Sequence, residues 1–276
     1  MLLTACDSGY LTDAKTLLRS CARHMPDQRF YLFLVNADVV SDTILRQWHP
    51  HLIIERVKWP YEPSRWRGIM CSARSIPLRK ALEEYGEPVI YLDTDILVRG
   101  SLSEIFQELE HCDLMVRYRP DLNHIGAAST PFGSTFNSGV IAVRPSQAGL
   151  RFVREYDRMI REYIASGKPL EVFRPEYRIR FVIDQELLYV AYQKVQDEII
   201  FKPLPMRFND ARFHPTSLIW HGKGSARRHP VYVVERLRYV YPILYQPYGL
   251  VSGFLNHLRR IRRYVLANLA HRVPTQ

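Results

Sequence analysis

Asp93 and Asp95 stand two residues apart in VIYLDTDILV, directly after four apolar or aromatic residues that read as a buried strand. Residues two apart on an extended chain face the same side, so both carboxylates can approach one point. Two bare anions there repel one another or take up a proton unless a cation neutralises them. Carboxylate oxygens suit a hard divalent ion, Mg²⁺ or Mn²⁺, with phosphate oxygens completing its octahedron. The pair therefore reads as one half of a metal–diphosphate clamp. The alternative is two solvated aspartates capping the next helix. A third ligand is available far along the chain, where His221 follows the apolar LIW in LIWHGKGSAR. A ligating imidazole must be neutral, which the reference pKa of histidine allows near neutral pH. Lys223 or Arg227 on the same segment can approach phosphates from the other side, and spacing does not choose between them.

The elements that must position these groups alternate along the chain. Leu2 to Cys6 is a short apolar strand ending in the turn-rich DSGY, and residues 13–24 carry helical spacing through Leu17, Leu18 and Cys21. RFYLFLVN (29–36) and LIIERV (52–57) are β-rich. Residues 75–85 read as a helix with Ser75 as its cap, Pro77 in the first turn and Gly86 at the stop. VIYL follows, and this β-α-β-β-α-β order predicts a mostly parallel sheet covered by helices. Ser101 and Glu104 have capping-box spacing at the head of SLSEIFQEL. Residues 119–136 read as a polar loop, 136–143 as a strand, RFVREYDRMIREYI as a helix, 166–181 as a Pro- and Arg-rich surface excursion, and 183–195 as a helix. The expectation is one α/β domain over residues 1–234 and a basic, aromatic tail over 235–276.

Composition narrows the partners. The chain has 276 residues and a formal charge of +10, which calls for an anionic partner. Much of the excess lies after residue 225, in ARRHP and HLRRIRR, which disfavours a whole-protein nucleic-acid surface. Cys6, Cys21, Cys71 and Cys112 form no CxxC pair or metal spacing, and suit a reducing cytosol. Cys6, in a strand, reads as a small core residue. The start has no basic leader and no run nears the roughly 20 apolar residues that span a bilayer, so a cytoplasmic protein is expected. In 251–270, Val251, Phe254, Leu255, Leu258, Ile261, Val265 and Leu269 are helically spaced and flanked by Arg259, Arg260, Arg262 and Arg263. Such a basic amphipathic helix either lies on an anionic membrane surface or packs on the domain or a second subunit.

YLDTDILVRGSL (91–102) resembles the metal-binding segment of GT-A fold glycosyltransferases, above all family 8, which includes glycogenin and the bacterial lipooligosaccharide galactosyltransferases. Further segments match that family in order: CDSGY (6–10), SAR (72–74), FNSGV (136–140), IDQELL (183–188) and WHGKGS (220–225). The resemblance implies a Rossmann-like GT-A fold and retaining transfer from a UDP-sugar with Mn²⁺ or Mg²⁺. It assigns Asp7 and Tyr10 to the uracil and ribose, and Arg74 to the sugar and diphosphate. Asp93, Thr94 and Asp95 form the metal and nucleotide segment, and Asn137, Ser138 and Gly139 surround the donor sugar. Asp184 and Gln185 fall to the reaction centre, and His221 to the metal. Gly224 belongs to the closing H-x-x-G-x-x-K motif, where Arg227 replaces the family lysine and Lys223 is the other available cation. Arginine can still hold phosphate bidentately.

For the chemistry, a double displacement would need a carboxylate nucleophile, and Asp184 is the nearby candidate, although it is expected to bind sugar hydroxyls. Gln185 can steady an oxocarbenium-like transition state through its carbonyl. Front-face substitution is favoured, with the departing phosphate helping to deprotonate the acceptor. The acceptor is expected to be a saccharide, free or on a lipid carrier, in surface-glycan (lipopolysaccharide or capsule) synthesis at the inner face of a membrane. Two other readings stand beside this one. A haloacid-dehalogenase-like phosphatase also places DxD after an apolar strand, but usually the first one and with threonine or valine where Leu97 stands. A non-catalytic nucleotide-sugar binding protein is the other, and the intact aspartate pair argues against it.

Overall fold

Apolar runs frame the computed structural model, which describes residues 1–119, 136–174 and 179–241. Four of them form parallel strands: β1 (Leu2–Asp7), β2 (Phe30–Val35), β3 (Leu52–Val57) and β4 (Val89–Leu92). Beyond β4 lie β7 (Phe136–Val143), β6 (Leu114–Tyr118) and β10 (Phe201–Pro203), giving the order β10-β6-β7-β4-β1-β2-β3. Only β7 runs against its neighbours, so this seven-stranded sheet is mostly parallel, as expected. A separate antiparallel pair joins β5 (Ile96–Val98) to β11 (Ile219–His221).

Both faces of the sheet are covered, which is why its central strands read as unbroken apolar runs. Alternate residues go to opposite sides. Leu2, Cys6, Phe30, Leu32 and Leu34 share one core with Leu17 and Leu18 of α1 (Leu11–His24). Leu3, Ala5, Tyr31, Phe33 and Val35 share the other with α4 (Ser75–Tyr85), α6 (Gln147–Ala165) and α7 (Asp184–Val195), through Leu78, Phe152, Tyr156 and Leu188. Cys6 is a core residue, buried in β1, and burial pushes its thiol pKa up. Gly86 ends α4 in the left-handed conformation at φ 59°, where glycine carries no Cβ penalty.

Several local expectations fail for identifiable reasons. Ser75 does not cap α4. It is already helical because α3 (Trp66–Ser72) runs almost directly into α4, and its hydroxyl donates to Asp157 at 3.0 Å. Ser101 is not the cap of α5 (Ser103–Glu108). Leu102 holds that position, the Ser101 hydroxyl accepts from the Ser103 N–H at 3.1 Å, and Glu104 pairs with Arg207 instead. The 166–181 excursion contains an antiparallel hairpin, β8 (Glu171–Arg174) and β9 (Ile179–Val182). A short helix, α2 (Asp42–Arg46), also precedes β3.

Two compact units divide the chain, Met1–Tyr232 and Val233–Gln276. The last described helix, α8 (Pro230–Val240), spans that boundary, and the amphipathic stretch 251–270 lies outside the described residues, as does most of the 119–136 loop. Among the described residues no helix is long and apolar enough to cross a membrane. Leu32 is fully buried in β2. Leu32→Ala is expected to lower unfolding stability by about 2–5 kcal/mol in a urea titration, through lost transfer energy and the cavity left behind.

Candidate active site

The residues singled out above gather where β1 and β4 end and β7 begins. After β4, Asp93, Thr94 and Asp95 make the turn into β5, and backbone hydrogen bonds pin it. The Asp93 N–H donates to the Gly139 carbonyl at 2.9 Å. The Asp95 carbonyl accepts from the Gly222 N–H and from the Tyr232 hydroxyl, both at 2.8 Å. The β5–β11 register sets His221 opposite Ile96, the residue after Asp95. The imidazole Nε2 consequently stands 3.2 Å from Asp95 Oδ1 and 3.7 Å from Asp93 Oδ2. One ligand atom from each of the three lies within 4.8 Å of the others. Bonds of about 2.1 Å put octahedral neighbours about 3.0 Å apart and opposed ligands about 4.2 Å apart, so a small adjustment fits this set to Mg²⁺ or Mn²⁺.

Each aspartate divides its two oxygens. Asp93 turns Oδ1 to Arg74 Nη1 at 3.1 Å and Oδ2 toward His221. Asp95 turns Oδ2 to Arg227 Nη2 at 2.8 Å and Oδ1 toward His221. Burial works against a charged Asp95, but the charges and hydrogen bonds of His221 and Arg227 outweigh it and hold the carboxyl well below the usual range. Arg74 is buried and further tied to the Ser138 carbonyl at 2.5 Å and to Asp184 Oδ2 at 3.5 Å.

A polarity chain fixes which imidazole nitrogen faces the carboxylates. A backbone N–H can only donate, so the Asn137 atom 3.1 Å from the Gly139 nitrogen is Oδ1. That oxygen also receives Asn209 Nδ2 at 2.8 Å, which turns Asn209 Oδ1 toward His221 Nδ1 at 2.9 Å. Nδ1 must then carry the proton. Nε2, aimed at two anions, requires either a proton or a metal ion. Gly139 makes room for the ring: a Cβ there would stand 2.3 Å from His221 Cε1.

The remaining residues expected at the site are placed as follows. Asp7 ends β1, where its Oδ1 accepts from the Gly9 N–H at 2.9 Å and its Oδ2 from Trp66 Nε1 at 2.5 Å. The Tyr10 ring lies beneath the Arg227 guanidinium, 5.5 Å from its centroid. Asp184, the first residue of α7, is fully buried and accepts from the Ser138 hydroxyl at 2.8 Å. Burial raises its pKa against the opposing pull of Arg74 and Ser138, while Asp93 adds to the rise. Gln185 is buried, and among the described residues its Oε1 has no hydrogen-bond partner, an unmet acceptor that a bound ligand can satisfy. Burial pushes the nearby Cys71 thiol up to about 12, which makes it a poor nucleophile. Gly224 holds φ 58° and Lys223 is exposed beside it. Sequence reasoning passed over Asn209, Trp66 and Asp13, whose Oδ2 accepts from Arg227 Nη1 at 3.4 Å. Each acts through a contact distant in the chain, and no spacing marks them.

Two substitutions test this architecture. Asn209→Ala removes the acceptor that orients His221 and is expected to weaken Mn²⁺ binding about ten- to a hundred-fold, measured by electron paramagnetic resonance of the free ion. Gly139→Ala displaces the imidazole and is expected to weaken it at least as much. Comparison with known proteins bears on the fold. No protein-family model matches the chain, and no curated protein matches it in sequence. Solved structures do match. The galactosyltransferase LgtC, in complex with donor and acceptor sugar analogues, superposes with TM-score 0.53 at 16% identity over 81% of this chain and 87% of its own. The apo form of the glycosyltransferase GlyE from Streptococcus pneumoniae TIGR4 gives 0.52 at 18% over 81% of this chain and 54% of its own. Mouse xyloside xylosyltransferase 1, also apo, gives 0.50 at 12% over 82% and 98%. The chain is similar to these proteins in architecture, and its fold is that of the GT-A glycosyltransferases.

Proposed function

We propose that the protein is a metal-dependent, retaining glycosyltransferase that moves a sugar from a UDP-sugar to a saccharide or lipid-linked saccharide acceptor. The observation that carries this reading is the convergence of Asp93, Asp95 and His221 at the edge of a GT-A sheet where ligands of open α/β folds bind. These three would hold Mn²⁺ or Mg²⁺, which when bound supplies positive charge to a leaving diphosphate. The surrounding residues suit the rest of the task. Asp7 and Tyr10 border the nucleoside side. The 137–139 segment joins the aspartate turn to Asp184, through the Gly139 carbonyl on the Asp93 N–H and the Ser138 hydroxyl on Asp184.

The chain's own groups favour substitution on one face. Asp184 Oδ2 is held by Ser138 and Arg74, so it is poorly placed to attack a carbon and well placed to accept from sugar hydroxyls. The buried Gln185 Oε1, without a hydrogen-bond partner among the described residues, offers partial negative charge to a developing oxocarbenium ion. In that step the bond from the anomeric carbon to the phosphate oxygen breaks and the bond to the acceptor oxygen forms. The acceptor's proton passes to the departing phosphate. The LgtC structure, solved with donor and acceptor sugar analogues, is consistent with such a site. A role in surface-glycan synthesis on the inner face of a membrane rests on the basic amphipathic sequence 251–270.

The purified protein, screened against UDP-sugars without acceptor, is expected to release UDP slowly in Mn²⁺ and not in EDTA. Asp95→Ala is expected to cut that rate at least a hundred-fold, read by coupled detection of UDP. Release of phosphate from a simple phosphomonoester, with no UDP-sugar turnover, would instead support phosphatase chemistry.

A further inference from the structure

The two basic residues that follow His221 stand in different situations. Arg227 is fully engaged. Its Nε donates to Asp95 Oδ2 at 3.2 Å and to the Gly222 carbonyl at 3.0 Å, and its Nη2 to Asp95 Oδ2 at 2.8 Å. Its Nη1 reaches Asp13 Oδ2 at 3.4 Å, and its flat face covers the Tyr10 ring. Lys223 is the opposite case. Its side chain is exposed, and among the described residues its ammonium forms no hydrogen bond or ion pair; desolvation and the charge of Arg119 hold its pKa below the usual lysine value against the attraction of Asp93 and Asp184.

From this contrast we infer that Arg227 is a positioning residue for Asp95, and that Lys223 is the cation that takes the donor's diphosphate. The inference rests on the reading above that the ligand is a nucleoside-diphosphate sugar. Three observations carry it. Recruiting Arg227 to a phosphate would break its hold on Asp95, leaving a buried carboxylate with one fewer partner, which is costly. Recruiting Lys223 breaks no hydrogen bond or ion pair among the described residues, and an ammonium on a flexible stem reaches a phosphate as a point charge. Finally, Asp95 presents Oδ1 to the His221 side only while Oδ2 is held from behind. Arg74 does the same for Asp93, so the two arginines turn both aspartates toward one point. The closing arginine of the motif has thus exchanged phosphate binding for alignment of an acidic side chain. Lys223, four residues before it, assumes the charge contact.

The test compares UDP with uridine, so that the advantage conferred by the diphosphate is isolated, by calorimetry on the full chain in Mn²⁺ and again in EDTA. Lys223→Met is expected to reduce the UDP advantage about tenfold or more in both media and to leave uridine affinity within threefold. Arg227→Gln is expected to reduce it in Mn²⁺, where Asp95 must be aligned, and to leave it within threefold in EDTA. Should Arg227→Gln unfold the chain, Arg227→Lys, which keeps the charge but not the paired N–H groups, carries the same expectation. Loss of the EDTA advantage in the Arg227 variants with retention in Lys223→Met would overturn the inference. A wild-type chain that binds uridine and UDP in neither medium would overturn the functional reading itself.

Discussion

Two like charges held in one tight turn are the constraint around which the rest of the site is organised. Backbone hydrogen bonds tie Asp93 and Asp95 into one turn, so the repulsion between their carboxylates has to be met nearby. The protein meets it from outside with Arg74 and Arg227, one to each carboxylate, and leaves the inner oxygens facing His221. That arrangement leaves an inner point where cationic charge is still wanted. A proton on His221 is one way to supply it, and a divalent ion is another with better use of every lone pair.

Support for this point comes from distant parts of the chain. The β5–β11 pairing carries His221 to the turn, and Asn209 and Asn137 orient its ring from behind. Gly139 admits the imidazole against the strand that also receives the Asp93 N–H. Arg74 links Asp93 to Asp184, and Ser138 links Asp184 back to β7, so the candidate metal ligands and the candidate sugar-binding carboxylate share one buried network. Burial lowers the local dielectric and strengthens every contact in that network, while making any unmatched charge expensive. Desolvation pulls the pKa of Arg74 down, yet Asp93 and Asp184 more than compensate and raise it well above the ordinary value.

Much of the frame was legible in the sequence because buried parallel strands announce themselves as apolar runs. The runs at Leu2, Phe30, Leu52 and Val89 became β1 to β4, but Asp93 and Asp95 lie in the turn between β4 and β5, and that turn, not strand alternation, brings both carboxylates beside His221. Failures came where neighbours overrode local preference. Ser75 and Ser101 have capping chemistry, but Asp157 draws the first and the second sits one residue too early. The β8–β9 hairpin was masked by a composition of proline and arginine that reads as loop. Asn209 was invisible for a different reason. Its value lies in the direction of a hydrogen bond, which no one-dimensional pattern encodes. The choice between Lys223 and Arg227 likewise needed the partners of each, because charge and spacing suit both.

Anomalous diffraction at the manganese edge, from crystals grown with Mn²⁺ and UDP, addresses the central claim most directly. The account predicts a single strong peak inside the triangle of Asp93 Oδ2, Asp95 Oδ1 and His221 Nε2, with diphosphate oxygens completing its shell and Arg227 still on Asp95 Oδ2. A peak elsewhere, or His221 turned away from both aspartates with the ion bound, would contradict it.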